Sequence, residues 1–161
     1  SIFRGEIESI ATEIRRICED LSPSVLTNVG LTAALEWSLT EAVAHLPKEK
    51  KFEYQFNCSD DLEDKLTFDS ATQIQIYRII QEAISNICRH AQAKNVSLTI
   101  DITKDNLFIV TLIDDGCGFK VGTKTGRGLS NISSRASLID AEVTWQANPP
   151  QGTLFTLKKQ N

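Results

Sequence analysis

The chain has 161 residues, which fits one domain or one domain preceded by a helical arm. Its hydrophobic content of 41% and charged content of 24% are ordinary for a protein with a real core. A net charge of −4 without a long basic run argues against a nucleic-acid-binding surface. Neither a membrane span of about 18 apolar residues nor a signal peptide is visible in the sequence. The four cysteines form no CxxC pair, which favours reduced thiols and a cytosolic compartment over a zinc site or a disulfide framework.

The first part of the chain is predicted to be helical. Residues 1–21 repeat isoleucines at spacings of three and four between charged residues, which is the pattern of an amphipathic helix. Such a helix pairs with another helix, pairs with a second subunit or covers its own domain, and the spacing leaves all three open. Pro23 ends it, and a second helix is predicted from Leu31 to about His45. We therefore expect a helical region and linker over 1–29 and the main domain over 30–161.

The rest of the chain predicts a sheet covered by helices. Alternating apolar and polar residues predict strands at 52–58, 96–103, 143–147 and 153–157, and a continuous apolar run rich in β-branched residues predicts a fifth at 106–114. A helical repeat runs through 70–91 and 126–140, and the acidic stretch 60–65 is predicted to be a loop. Short turns between neighbouring strands indicate a mixed, mostly antiparallel sheet with helices on one face. The expected fold class is α+β, a two-layer α/β sandwich preceded by a helical arm.

A carboxylate stands at the end of the most apolar predicted strand. The run Leu107–Ile113 is followed by Asp-Asp-Gly-Cys-Gly-Phe over residues 114–119. With a period of two, Asp114 shares a face with the apolar residues of its strand, where a carboxylate is costly unless a group donates to it. The donor is either a ligand or the backbone of a tight turn, and the hexapeptide alone favours the turn.

The long helix carries the second motif, a narrow polar arc opposite its apolar side. The arc contains Gln75, Arg78, Glu82, Asn86 and Arg89, with His90 at its edge. Most such stripes simply face solvent. Here, however, Glu82, Asn86 and His90 are spaced to converge on one ligand. An amide oxygen suits a hard cation such as magnesium, a carboxylate can orient a water, and an arginine can meet phosphate oxygens.

The third motif is the sequence Gly-Arg-Gly-Leu-Ser-Asn-Ile over 126–132, which opens a helix. Glycines at a helix start leave backbone N–H groups available to an anion, although a plain loop-to-helix junction explains the motif equally well when it is taken alone. It matches neither the P-loop nor the GxGxxG fingerprint. The chain also lacks HExxH and GxSxG, and two histidines with scattered cysteines argue against a transition-metal site.

In this order, the three motifs resemble the ATP-binding domain (HATPase, GHKL or Bergerat fold) shared by sensor histidine kinases, Hsp90-type chaperones, DNA gyrase and MutL. The resemblance covers about 31–157: an N box at 81–91, glycine boxes at 114–119 and 126–136, and a final element at 152–153. The segment 20–35, with its L-S-P-x-x-L-x-x-x-G-L junction, and the RHA ending of the N box are similar to the nitrate-sensor and DesK-like class of two-component histidine kinases.

The resemblance implies a role for each matching residue. Asp114 would accept from the adenine amino group, with Thr153 in the same network. Asn86 would hold the magnesium of the bound ATP, and Glu82, which matches the general base of ATPase relatives, would orient the water shell of the metal; these two are the catalytic residues. The residues implied in ATP binding are Asn86, Arg89, His90, Asp114, Gly116, Gly118, Lys124, Gly126, Arg127, Gly128, Leu129 and Thr153.

The function implied by the resemblance is transfer of the ATP γ-phosphoryl group to a histidine, for relay to an aspartate of a cognate response regulator. The implied partners are ATP, Mg²⁺, the regulator and a second subunit in the full-length protein, without nucleic acid. The implied location is cytoplasmic, and any membrane contact is left to segments absent here.

Histidine kinases of this class carry the acceptor on an earlier helix. No histidine precedes Ser22, so we expect the acceptor upstream of this fragment. Two alternatives stay open, an anti-sigma-factor-type serine kinase and a non-catalytic nucleotide-binding scaffold. The Leu-Ser-Pro junction argues against the first, and the intact box residues argue against the second.

Overall fold

The structure, a computed structural model, describes Leu26, residues 28–117 and residues 127–161. The helices are α1 (Leu31–Ala44), α2 (Leu62–Lys65), α3 (Ser70–Asn86) and α4 (Arg127–Leu138). The strands are β1 (Glu53–Cys58), β2 (Asn95–Ile102), β3 (Leu107–Asp114), β4 (Glu142–Ala147) and β5 (Thr153–Gln160). A 3₁₀ turn covers Lys48–Lys50, and a π-helical turn, Ile87–Ala91, continues α3. The helix predicted over 1–21 and the loop 119–125 lie outside the described residues.

The five strands form one sheet in the order β1-β2-β3-β5-β4. β1 pairs with β2 in parallel, and the three other pairings are antiparallel. A tight turn joins β2 to β3, whereas the parallel β1–β2 pair needs a crossover, which α3 supplies. The prediction of a mixed, mostly antiparallel sheet is confirmed.

The core lies between one face of this sheet and the helices. Along β3, burial alternates strictly, so that Phe108, Val110, Leu112 and Asp114 face the helices. The apolar sides of α1, α3 and α4 complete the core, with Leu35, Ile80 and Ile132 each fully buried. This is the expected two-layer α/β sandwich, and it places the carboxylate of Asp114 on the covered side of the sheet.

The predicted element boundaries hold to within two residues, apart from three differences. The last strand, predicted over 153–157, continues to Gln160, and the other two concern 60–65 and 70–91. The stretch 60–65 was expected to be a loop, and this was wrong, because Leu62–Lys65 forms one helical turn that buries Leu62. The helix over 70–91 is α-helical only to Asn86, after which it widens into the π-helical turn and stops at Gln92, whose φ of 51° is left-handed. The burial of Leu62 is a packing effect that the acidic pattern of 60–65 does not show.

The junction before α1 is fixed by a distant side chain. Leu26 is buried, and Gly30 turns the chain into α1 with a φ of 90°. The carboxylate of Glu63 then accepts from the first two helical N–H groups, those of Leu31 at 2.8 Å and Thr32 at 3.0 Å. The Leu-x-x-x-Gly-Leu sequence thus has a local reason, since each of its three residues has a packing or backbone role.

The described part of the chain contains neither a membrane-spanning helix nor a disulfide bond. None of its helices has the length and hydropathy needed to cross a bilayer. Its three cysteines, Cys58, Cys88 and Cys117, are all free, as the scattered spacing predicts.

Candidate functional site

Among the described residues, Asp114 is the one aspartate or glutamate that is buried. It is 4% exposed, and its Oδ1 accepts from the N–H of Gly116 at 2.9 Å. Thr153 lies directly opposite it in the β3–β5 register. Burial raises the pKa of Asp114, and hydrogen bonds from the backbone of Gly116 and Thr153 offset part of that rise. A carboxylate has about four acceptor positions, so capacity remains for a ligand N–H group.

The backbone around Asp114 is held by residues that sequence reasoning left out of the site. The side-chain amide of Asn148 donates to the Asp114 carbonyl oxygen at 3.2 Å. Gly152 has a φ of 123°, and a Cβ there would overlap that same carbonyl oxygen. Gly152 was recognisable as part of the final family element, whereas Asn148 carried only a turn signal.

Asp115 has a different role from its neighbour. Its carboxylate accepts from the N–H groups of Lys94 and Asn95, each at 2.8 Å, and from the Asn95 side chain at 2.9 Å. These bonds lower the pKa of Asp115, with the Asn95 side chain the largest cause. The donor to the Asp114 carboxylate that the structure shows is therefore the turn backbone at Gly116, while Asp115 fastens the turn to the start of β2. A ligand donor to Asp114 stays a prediction.

The predicted polar arc of α3 contains a three-residue cluster. Glu82 and Asn86 lie one turn apart, and Arg89 follows in the π-helical turn. Arg89 Nη2 donates to Asn86 Oδ1 at 2.7 Å and to Glu82 Oε1 at 3.0 Å. Gln75, at the other end of the arc, instead accepts from Arg135 of α4 at 3.0 Å and ties the two helices together.

A hydrogen bond joins the π-helical turn after α3 to the first glycine box. The thiol of Cys117 donates to the main-chain carbonyl oxygen of His90 at 3.1 Å. The side chain of His90 is exposed. The loop after β3 and the end of the polar arc are therefore neighbours, so the first two predicted motifs border one region.

The third motif is only partly described. Leu129 is half-buried and packs against the core from α4. Arg127 and Gly128 lie in the first turn of α4. Gly118, Lys124 and Gly126 lie outside the described residues.

The donor set fits magnesium better than a tightly chelated metal. The described residues contain no group of three or more His, Cys, Asp or Glu side chains able to hold a metal ion. Asn86 and Glu82 offer oxygen atoms on one helix face, and Mg²⁺ commonly uses one or two protein oxygens with substrate phosphates and waters.

A cavity of about 230 Å³ opens at the end of the sheet where Asp114 and Asp115 lie. Its lining includes Gln55, Ser97 and Ile113, which lie beside one another across β1, β2 and β3 on the face opposite the helices. Neither Glu82 nor Asn86 lines it, so this cavity is separate from the α3 cluster.

Comparison with known proteins gives the same family as the motifs. Residues 71–161, more than half of the chain, match the family described as histidine kinase-, DNA gyrase B- and HSP90-like ATPase. The chain is 28% identical to the oxygen sensor histidine kinase NreB of Staphylococcus carnosus, over 97% of this chain and 44% of that protein. It is also 28% identical to the sensor histidine kinase ComP of Bacillus subtilis, over 91% of this chain and 19% of that protein.

The fold has solved counterparts. A blue-light activated histidine kinase of Erythrobacter litoralis superposes with a TM-score of 0.73 at 15% identity, over 97% of this chain and 49% of that one. The chain thus spans less than half the length of each of these proteins. By its family match and its curated relatives, the chain belongs to the histidine kinase-, DNA gyrase B- and HSP90-like ATPases, as an ATP-binding catalytic domain of the sensor histidine kinase type.

Proposed function

We propose that this domain binds Mg²⁺-ATP and transfers the γ-phosphoryl group to a histidine supplied from outside its 161 residues. The observation that carries the proposal is the buried Asp114 carboxylate, held on the helix side of the sheet with acceptor capacity to spare. An apolar site with one well-placed acceptor is the arrangement expected for reading a purine edge.

Adenine recognition follows from the charge of Asp114. The carboxylate can accept from the exocyclic amino group of adenine, whereas guanine presents a carbonyl oxygen at that position and would be repelled. Gly116 and Thr153 hold the carboxylate from the backbone, so no side-chain rearrangement is needed to present it. Gly152 and Asn148 position the main chain that carries it.

Phosphate binding is assigned to the polar arc and the start of α4. Asn86 provides the metal-contacting oxygen, Glu82 orients the water shell, and Arg89 and His90 lie near the phosphates. The resemblance assigns phosphate binding to the backbone N–H groups of the glycine-rich segment 126–129, and it adds Gly118 and Lys124 to the same role. Mg²⁺, when bound, neutralises charge on the β- and γ-phosphate oxygens, so the domain contributes positioning and electrostatic stabilisation.

The relatives support the proposed acceptor and later partners. Both curated relatives are named sensor histidine kinases, which favours a histidine acceptor over the serine-kinase alternative. We therefore place the domain in the cytoplasm of a two-component system, within a homodimer that passes phosphate to a response-regulator aspartate. The helical region over 1–29 would belong to the dimerisation segment, and 30–161 would be the catalytic domain.

Neither histidine of this chain is the proposed acceptor. His45 is exposed at the end of α1, where it contacts Glu41 at 3.0 Å. His90 lies within the site itself, where in-line attack on the γ-phosphoryl group is implausible. The isolated domain should therefore not label itself when incubated with γ-labelled ATP.

The test adds a polypeptide carrying the acceptor helix of a sensor histidine kinase. Weak label should appear on that polypeptide, and it should be acid-labile and base-stable, as expected of a phosphohistidine. It should vanish with Asn86→Ala and persist with the matched surface change Asn57→Ala on β1. Acid-stable labelling of a partner serine would favour the anti-sigma alternative, and robust self-labelling would show that the acceptor is misassigned.

A further inference from the structure

The proposed activity does not explain the hydrogen-bond partner of Asn86, the proposed metal ligand. The amide oxygen of Asn86 already accepts a 2.7 Å hydrogen bond from Arg89. The same Nη2 atom lies 3.0 Å from Glu82 Oε1, so one guanidinium nitrogen contacts both oxygens. These two oxygens are the ones that a hard cation would use.

The local backbone explains how one arginine reaches both groups. Glu82 and Asn86 are separated by four residues and therefore stack on one face of α3. Arg89 is seven residues after Glu82 and three after Asn86, and it lies in the π-helical turn Ile87–Ala91. The cluster is accessible to ligands, because the side chains of Arg89 and Glu82 are 54% and 33% exposed.

We propose that Arg89 is a resident cation that occupies the Glu82–Asn86 oxygen pair and makes metal binding depend on the nucleotide. Mg²⁺ or Mn²⁺ alone must enter beside a guanidinium that already contacts both oxygens, and the two positive charges repel at that distance. When the triphosphate arrives, its oxygens attract Arg89, which leaves the pair free for the metal. The inference rests on the proposed Mg²⁺-ATP function and assigns Arg89 as a positioning residue for it.

The chemistry of the side chain suits this exchange. A guanidinium is permanently charged and offers several N–H groups, so it can satisfy two oxygens and later bind phosphate without a proton transfer. The exchange is a coupling between two ligands, and thermodynamic reciprocity requires that the metal and the nucleotide strengthen each other's binding equally. Because Arg89 repels the metal and attracts the phosphates, its removal should strengthen binding of the metal alone and weaken binding of metal-free nucleotide.

The test measures metal binding without any nucleotide. Mn²⁺ is titrated into the chain while paramagnetic broadening of backbone amides is followed by NMR, a readout that requires no activity. Arg89→Gln should raise the affinity of α3 for Mn²⁺ alone by at least about fivefold, the lower end of common coupling effects. The same variant should bind metal-free ATP more weakly than the wild type does.

Four further variants make the result specific. Arg89→Lys keeps the positive charge, so binding of Mn²⁺ without nucleotide should stay as weak as in the wild type. Adding Glu82→Gln to Arg89→Gln should abolish the gain, because one of the two released oxygens is lost. Lys104→Gln removes an equal charge from the exposed β2–β3 turn and should change nothing. Thermal unfolding of each variant confirms that it is folded, and Arg89→Ala is a second charge-removing substitution.

The outcomes separate this inference from the function beneath it. Equal Mn²⁺ broadening in the wild type and Arg89→Gln, with Mg²⁺-ATP binding intact, overturns the role of Arg89 alone. No binding of ATP by the wild type under any condition overturns the proposed function as well.

Discussion

The cap that Glu63 provides for α1 can be tested by removing one carboxylate. Gly30, the residue before α1, contributes no side-chain cap, and within the described part of the chain the N–H groups of Leu31 and Thr32 donate to the Glu63 carboxylate. Glu63→Ala leaves both N–H groups without this partner, next to the buried Leu31. The substitution should therefore destabilise the whole domain, since α1 packs into its core.

The magnitude follows from the two bonds. Charge-assisted hydrogen bonds contribute about 1.5 kcal/mol each at the low end, which suits a half-buried carboxylate, for a total of about 3 kcal/mol. Ordering a glutamate side chain costs about 1 kcal/mol of conformational entropy, which the alanine variant does not incur. We therefore expect a net loss of about 2 kcal/mol, or roughly 4–8 °C in Tm for a domain of this size.

Chemical and thermal unfolding of the purified domain, followed by circular dichroism, measures this loss. Asp64→Ala is the matched control, because Asp64 is an exposed acid on the same short helix. It should cost less than about 0.5 kcal/mol. If Glu63→Ala is no more destabilising than Asp64→Ala, the carboxylate does not hold α1 and the argument is refuted.

A double-mutant cycle sharpens the test. A Cβ at Gly30 would collide with the Glu63 carboxylate, and the φ of 90° adds backbone strain for any L-residue. Gly30→Ala should thus be destabilising alone and less so in a Glu63→Ala background, where only the backbone strain persists. Strictly additive effects would show that the two residues do not interact.

The remaining predictions concern Asp114, Asp115 and Gly152. Asp114→Asn should weaken ATP binding by about 2–4 kcal/mol, as measured by calorimetry, because an amide N–H would face the adenine donor; an unchanged affinity would remove Asp114 from adenine recognition. Gly152→Ala should unfold at a lower temperature and weaken ATP binding, since its Cβ would displace the Asp114 carbonyl; a wild-type melting curve would show that the backbone has room there. At acidic pH the free energy of unfolding should depend on Asp115, because hydrogen bonds from Asn95 and Lys94 lower the pKa of its carboxyl group. Its contribution is present above the unfolded pKa of about 4 and is lost as pH falls through the lower folded value, so Asp115→Asn should flatten the stability curve there. Asp114 has the opposite sign: its pKa is raised by burial, so ATP affinity should begin to fall at a higher pH than an ordinary aspartate would allow.

Local pattern predicted the features of the fold that depend on neighbouring residues. Alternation located β2 and a continuous apolar run located β3, and a period of two along β3 correctly put the Asp114 carboxylate on the buried face. The order of three motifs, rather than any one of them, indicated the family that the comparisons establish. Each of these features depends on residues that lie close together in the sequence.

Features that depend on distant residues were not predictable in this way. Glu63 caps a helix that begins 32 residues earlier, and nothing in its own acidic stretch distinguishes it from the acids on either side. The different roles of Asp114 and Asp115 depend on the start of β2, which lies beside them only in the folded sheet. The π-helical turn that carries Arg89 likewise has no pattern of its own in the sequence.

Calorimetric titration of the domain with ATP, with and without Mg²⁺ and in parallel with GTP, is the most direct test of the central claim. The account predicts that ATP binds, that Mg²⁺ strengthens its binding, and that GTP binds at least about tenfold more weakly, as expected for the loss of one charge-assisted hydrogen bond. No nucleotide binding under any of these conditions, or equal affinity for ATP and GTP, would contradict it.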